Sequence, residues 1–460
     1  MCEFTKSNIS QLEEEIERQR KLLGESPILK VLDVCQPSKG ILKIPKSKAT
    51  RFEKVPFPND PCFFIPASGS GSRMFSFLFQ FLIDEIETRE IKYFFNNLDL
   101  FPFYEELSNE VEGSLSSMGK KEIIKLLLFN DGMGLSDIPK GMIPFHYIEN
   151  TPLRPFQEHC LQFSEISNSG RIHYTVQEEF ISQIKSIIEA DTAHKLNVEY
   201  SFQDPMTDAY CFDLDGKEAI VDGNRIKRPA GHGALLKNLN NLESEIVCVK
   251  NIDNIQPIGR HNSSVDTWKL LYGLMASFKK DLLELAGTFS LDALSEFNTQ
   301  YEVFRSEDLH KIDTSNIKDL CDRPTRVCGM VKNEGEPGGG PFWVEYDGIA
   351  TKQIVEKVQL SKDQLTDSLL VSSTHFNPVF MILDRKTVNG ERRDLNEFVD
   401  KNSFLRVEKD HKGQKIIYHE LPGLWNGAMA LWNTIFVEIP KEVFTPVKTV
   451  LDLINKDHLV

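Results

Sequence analysis

What this chain lacks narrows the field before any motif is read. Its eight cysteines are scattered over 460 residues with no C-x-x-C pair. A disulfide scaffold or a paired-cysteine zinc site has little to build on, and reduced thiols in a core are expected. Cys321 and Cys328, in "CDRPTRVC", stand nearest each other and have no second pair to complete a zinc site. No apolar run approaches the roughly 20 residues that a spanning helix needs. The opening "MCEFTKSNISQLEEEIERQRK" has no signal-peptide core. Positive charge is also scarce: the formal net charge is −15, which argues against nucleic-acid or membrane-surface partners. A cytoplasmic protein is expected, and any anionic substrate would need a local cluster of basic groups.

Enough apolar residues are present, at 40%, to bury a large core as one elaborated domain or two. Residues 8–24 read as a charged amphipathic helix with Asn8 or Ser10 as cap. A Pro- and Lys-dotted stretch follows to about residue 60, read as an extended wrap, so residues 1–60 and 61–460 form the expected division. "PCFFIPA" is apolar without alternation, as a strand covered on both faces would be. Residues 76–134 read as a helical insert. After it, helices at 155–165, 177–190 and 265–287 alternate with strands "RIHYTV", "KLNVEYSF" and "EIVCVKNI". This alternation predicts an α/β fold with a mainly parallel open sheet flanked by helices. The C-terminal third is strand-rich, with "TRVCGMV", "FWVEY", "QIVEKVQ", "KIIYHEL" and "NTIFVEI". The one low-complexity patch, "GEPGGGP" at 335–341, is read as a turn.

Two stretches carry the chemistry. In "FFIPASGSGSRMF", residues 63–75, a buried strand would feed a loop at its carboxyl end, where open α/β sheets hold ligands. Gly69 and Gly71 would let backbone amides of the 67–73 loop, those of Ala67 and Ser72 included, approach an oxyanion. Arg73 adds a permanently charged fork suited to phosphate oxygens. No Gly-Lys-Ser/Thr follows, and the spacing is not G-x-G-x-x-G, so neither nucleotide fingerprint applies. In "DIPKGMIPFHYIENTPLRPFQEHCLQF", residues 137–163, Pro139-Lys140 precedes an apolar turn and a helix beginning near Arg154. A lone lysine there is ordinarily a solvated one.

Taken together, a Gly-rich loop, an arginine, Pro-Lys and a helix resemble the signature of sugar nucleotidyltransferases, whose loop, Arg and Lys wrap a nucleoside triphosphate. Here some sixty residues, 75–136, separate the halves; an inserted helical lobe would reconcile the spacing. The order continues downstream. Gln203, in "VEYSFQDPMTD", resembles the glutamine that reads the base. "RPAGHGALLKNL" is similar to the Pro-x-Gly-x-Gly segment of UDP-sugar pyrophosphorylases, which puts Gly231, His232 and Gly233 beside base and ribose. Asp253, in "VCVKNIDN", resembles the aspartate that holds Mg²⁺. Glu356 in "TKQIVEKVQ" and Asn377 in "STHFNPVFM" match positions that meet sugar hydroxyls. "FTPVKTVLDL" is similar to a Phe-x-Pro-Val-Lys-Thr segment whose lysine contacts phosphate, a role that falls to Lys448. The resemblance spans roughly residues 60–455 in fragments, without 75–136 and 265–320. "GMVKNEGEPGGGPFW" and "LPGLWNGAMALWNTIFVE" look closer still to an uncharacterised bacterial family related to these enzymes.

The resemblance implies a GT-A-like fold and Mg²⁺-assisted transfer of a nucleotide, with UTP favoured, onto a sugar 1-phosphate. Two other classes stay open. A GT-A glycosyltransferase would place its metal on an Asp-x-Asp pair, for which only "DLD" at 213–215 qualifies and reads as a hairpin turn. A non-catalytic nucleotide or nucleotide-sugar binding protein would keep the loop without the turnover. Hydrolase chemistry lacks a G-x-S-x-G or a cysteine with a base partner.

Overall fold

The computed structural model describes residues 6–459 except 25–28, 149–150, 168, 191–195, 222, 336–338, 361–368, 370–371 and 412–413. Part of the glycine-rich patch, 336–338, therefore lies outside the described residues. Ten strands form the main sheet. In chain order they are β1 (Gln36–Pro37), β2 (Gly40–Leu42), β3 (Cys62–Pro66), β4 (Arg171–Val176), β5 (Asn197–Phe202), β6 (Ile246–Lys250), β7 (Thr325–Lys332), β8 (His375–Phe376), β9 (Phe380–Asp384) and β10 (Asn433–Glu438). Their spatial order is β1-β2-β10-β7-β9-β6-β3-β4-β5, with β8 paired beside β7. β3, β4, β5 and β6 run parallel to one another, as do β7 and β10. β9 runs antiparallel to both β6 and β7, which gives the two parallel groups the same direction. The sheet is thus mixed, with helices on both faces, and the carboxyl ends of its two parallel groups share one edge.

Alternation along each strand sorts the core into two layers. Phe63, Ile65, Cys248 and Ile382 join helices Pro155–Ser164, Ile181–Glu189 and Asn262–Thr288 on one face. Phe64, Val247, Val249 and Met381 join helix Leu236–Asn241, hairpin Gly340–Val355 and the 424–432 segment on the other. Covering on both faces explains why these strands read as continuous apolar runs. Among the described residues no helix is long and apolar enough to cross a membrane.

Several expectations need adjusting. The first helix is Lys6–Leu22, so neither Asn8 nor Ser10 caps it. It docks through Gln19, whose side-chain carbonyl accepts from the Tyr210 amide at 2.8 Å. The stretch read as a wrap also carries β1, β2, the strand Val31–Val34 and the helix Lys46–Glu53. "QIVEKVQ" stops being a strand at Val355; Lys357–Gln359 is a 3-10 turn, and the Gln359 side chain accepts from the Glu356 amide.

The 76–134 lobe holds four helices, Ser76–Asp84, Arg89–Asn96, Tyr104–Asn109 and Lys120–Leu128. Their apolar faces form a third core with Ile255, Val447, Val450, Leu453 and Ile454. The lobe therefore rests against the C-terminal segment that carries Lys448.

Candidate functional site

The chain leaves β3 as the 67–71 loop and enters the lobe through a 3-10 turn, Ser72–Phe75. It comes back at Ile138–Lys140 against the point of departure. The Gly71 amide donates to the Ile138 carbonyl, and the Lys140 amide donates to the Gly69 carbonyl, each at 3.0 Å. Ser70 and Pro139 bridge between them. The long separation in sequence is closed by a short antiparallel ladder, which brings Lys140 beside the loop that bears Arg73.

A second seam joins the turn after β6 to the C-terminal segment. Val447 donates its amide to the Asp253 carbonyl at 3.0 Å, and the Thr445 amide donates to Asn254 Oδ1 at 3.0 Å. Asp253 stands three residues past β6 rather than at its last position. Both lysine ammoniums donate to the same carboxylate oxygen, Asp253 Oδ2, Lys140 at 3.0 Å and Lys448 at 3.0 Å. Arg73, Lys140, Asp253 and Lys448 line one cleft of about 320 Å³, together with Gly69, Ser70 and Asn251.

Three cations thus face one carboxylate in a chain of net charge −15. Burial raises the Asp253 carboxyl, but the Lys140 and Lys448 ammoniums more than offset it, and the group lies below its ordinary value. Burial depresses the Lys140 ammonium; Asp253 offsets this in part, while Lys448 and Arg73 push it further down. The surplus positive charge gives the cleft a field that suits an anion with several oxygens.

Ala67 donates its amide to Thr175 and Gly71 donates to Ile138, so neither amide is available to a ligand. Among the described residues the amides of Ser68, Gly69 and Ser70 have no backbone acceptor, and these are the ones an oxyanion could meet. Ser72 shares a hydroxyl contact with Ser70 at 3.0 Å.

Gln203 lies beyond β5, on the same sheet edge but outside the cleft, with its amide donating to Asp208 at 3.4 Å. Gly231 has φ +72°, and a Cβ there would meet the Glu420 carboxylate. A Cβ on Gly233 would run into the Pro422 carbonyl. Both glycines let the 230–234 loop lie against 420–422. His232, between them, accepts from the Leu424 amide through Nδ1 at 2.9 Å and stacks on Trp425 at 4.2 Å. Its Nε2 stands 3.4 Å from Glu356 Oε1, which also accepts from Asn426 at 3.3 Å. Sequence placed His232 beside base and ribose and Glu356 at sugar hydroxyls; in the structure the two side chains are neighbours. Asn377 differs: its amide donates to the Gly329 carbonyl and its side-chain oxygen accepts from Val379, each at 3.0 Å. Its side chain therefore holds backbone, which supports the left-handed φ of 55° at Val379.

Trp425, Asn426 and Glu420 were assigned no role from sequence. "LPGLWNG" stood out as a pattern, but only contact with His232 and Glu356 gives it a place. Asn426 Oδ1 is buried without a partner. Asp213, of the "DLD" triplet, accepts from the Asp215 and Lys217 amides at 2.9 Å each. That is a turn, as its spacing suggested.

Among the described residues no group of three or more His, Cys, Asp or Glu could hold a metal ion. One carboxylate fits a different coordination. Asp253 Oδ1 is buried and unpartnered, a hard oxygen donor of the kind Mg²⁺ takes alongside substrate phosphates and water. This single oxygen fits a hard dication that draws its remaining ligands from outside the protein.

The fold resembles that of a nucleotide-sugar pyrophosphorylase. The uridine diphosphate N-acetylglucosamine pyrophosphorylase from Trypanosoma brucei, solved with an inhibitor, is 12% identical, covers 97% of this chain and 75% of its own, and superposes with a TM-score of 0.50. UDP-glucose pyrophosphorylase from Leishmania major, solved as a point mutant, is also 12% identical, covers 96% and 74%, and scores 0.48. The chain itself belongs to the family described as domain of unknown function DUF4301, whose model matches residues 3–459. No curated protein matches it by sequence.

Proposed function

We propose that this chain is a sugar-1-phosphate nucleotidyltransferase of GT-A-like fold, with UTP as the favoured donor. The observation that carries the reading is the convergence of Arg73, Lys140 and Lys448 around Asp253 in one cleft. An oxygen of the sugar phosphate attacks the α-phosphorus of the triphosphate, and the bond to pyrophosphate breaks. The attacking group is already anionic, so alignment and charge neutralisation are needed rather than a protein base. Amides 68–70, Arg73 and Lys140 hold the triphosphate and its leaving group. Lys448 meets the sugar phosphate. Asp253 would hold Mg²⁺, which supplies further neutralisation at the two reacting phosphates. Gln203 would meet the base, His232 the base and ribose, and Glu356 the sugar hydroxyls.

Pyrophosphate release across a panel of nucleoside triphosphates and sugar 1-phosphates, with Mg²⁺, tests the reading. UTP-dependent release is expected. No release from any pair, with no thermal shift on adding UTP and Mg²⁺, would sink it. UTP binding without turnover would make the chain a nucleotide-binding protein instead.

A further inference from the structure

The helix Pro155–Ser164 is buried along most of its length, polar side chains included. Glu158, His159 and Gln162 are fully buried on one face, where an ordinary core helix would carry leucines. What they touch explains them. His159 Nε2 donates to the Ile252 carbonyl at 3.1 Å, on the peptide that enters Asp253. Gln162 accepts from the Lys250 ammonium at 2.7 Å and donates to Gln256 Oε1 at 3.2 Å. Gln256 in turn donates to the Val443 carbonyl at 3.1 Å and to Thr445 Oγ1 at 2.9 Å, on the segment leading to Lys448. At the helix start, Arg154 donates to the Met142 carbonyl at 2.9 Å, two residues after Lys140. This helix, with Arg154 at its start, therefore grips three of the four segments that line the cleft, all but the 69–73 loop.

We propose that His159 and Gln162 are positioning residues: His159 sets the Asp253 carboxylate through the Ile252 carbonyl, and Gln162 sets the Lys448 segment through Gln256. Each hydrogen bond is made in a site closed to water, where a lost partner leaves a buried carbonyl or amide unsatisfied. The turn then relaxes, and the carboxylate moves off the position at which it meets a cation. The catalytic consequence rests on the nucleotidyl-transfer reading; the grip on the turn does not.

The test compares His159→Leu, His159→Gln and Gln162→Glu in the full chain. Gln162→Glu keeps an acceptor for Lys250 and removes the donor to Gln256. Hydrogen exchange of the 251–256 amides is read without ligand, and the Mg²⁺ midpoint for UTP binding is read by calorimetry. His159→Leu should speed exchange across the turn and raise the Mg²⁺ midpoint about tenfold, with His159→Gln restoring most of both. Gln162→Glu should speed exchange at 443–448 and raise KM for the sugar phosphate more than it lowers kcat. Folded His159→Leu and Gln162→Glu with wild-type exchange and wild-type Mg²⁺ midpoint would overturn the proposal. Should His159→Leu fail to fold, Gln162→Glu decides by the same exchange readout. Should the wild type bind no UTP, the functional reading falls, and the exchange measurements alone decide the positioning.

Discussion

Around Asp253, three cations face one carboxylate; around His232, two carboxylates, Glu356 and Glu420, face one imidazole. Both clusters are assembled from segments distant in sequence. The first has charge left over and suits phosphate oxygens. The second is acidic, and burial raises the Glu420 carboxyl above its ordinary value, with Glu356 adding to the rise against His232 and Lys409. Such a surface suits hydroxyl donors and repels anions. Under the proposed reaction, the phosphates would go to the first cluster and the uncharged part of the substrate to the second.

The harshest way to break this contrast is Asp253→Ala. Turnover should fall by a factor on the order of 10² or more, with the far-ultraviolet spectrum unchanged. Pyrophosphate alone, without Mg²⁺, should bind at least as tightly as to the wild type, because Lys140 and Lys448 lose their internal counter-ion. Near-normal pyrophosphate release by this variant would remove the metal assignment. Lys140→Met is expected next, weakening UTP binding about ten- to a hundredfold, as loss of a charged hydrogen bond does; calorimetry at two salt concentrations checks it. Glu356→Gln should raise KM for the sugar phosphate about tenfold while UTP affinity stays constant. An equal loss for both substrates would erase the distinction between the clusters.

The smallest effect concerns stability. Lys250 is fully buried, and burial lowers its ammonium from 10.5 to about 7, against a small opposing pull from Glu158. Between those values the unfolded chain binds the proton and the folded chain does not, so stability should rise as pH rises through that window. Denaturant midpoints near about pH 7 and about pH 9 should show that rise in the wild type and lose it in Lys250→Met. A flat wild-type profile would contradict a neutral buried amine.

Much of the arrangement was legible because it depends on local pattern. Continuous apolar runs marked β3 and β6, and the flank of β3 marked Arg73 as a loop residue, whereas Asp253 and Lys448 were legible through the resemblance of their segments to those of sugar nucleotidyltransferases. Lys140 was legible by its Pro-Lys order, whereas the ladder that returns it to Gly69 involves only backbone groups and leaves no side-chain signature. For the same reason Gly71 read as an anion-binding amide although its N–H is committed to Ile138. Asn377 read as a ligand group because an asparagine beside a strand looks alike whether it meets a sugar or a carbonyl. Least legible was the helix at 155–164, whose buried polar residues make sense only through the partners that three-dimensional contact supplies.

The ladder at Gly69–Gly71 and Ile138–Lys140 has a consequence for how such chains diversify. Because entry and exit of the lobe are fastened to each other, what is hung between them can grow or shrink without shifting the Lys140 ammonium at its exit, provided the face packed on Ile255 and Val447 is kept. The joint separates the dimensions of an appendage from the register of the chemistry beside it.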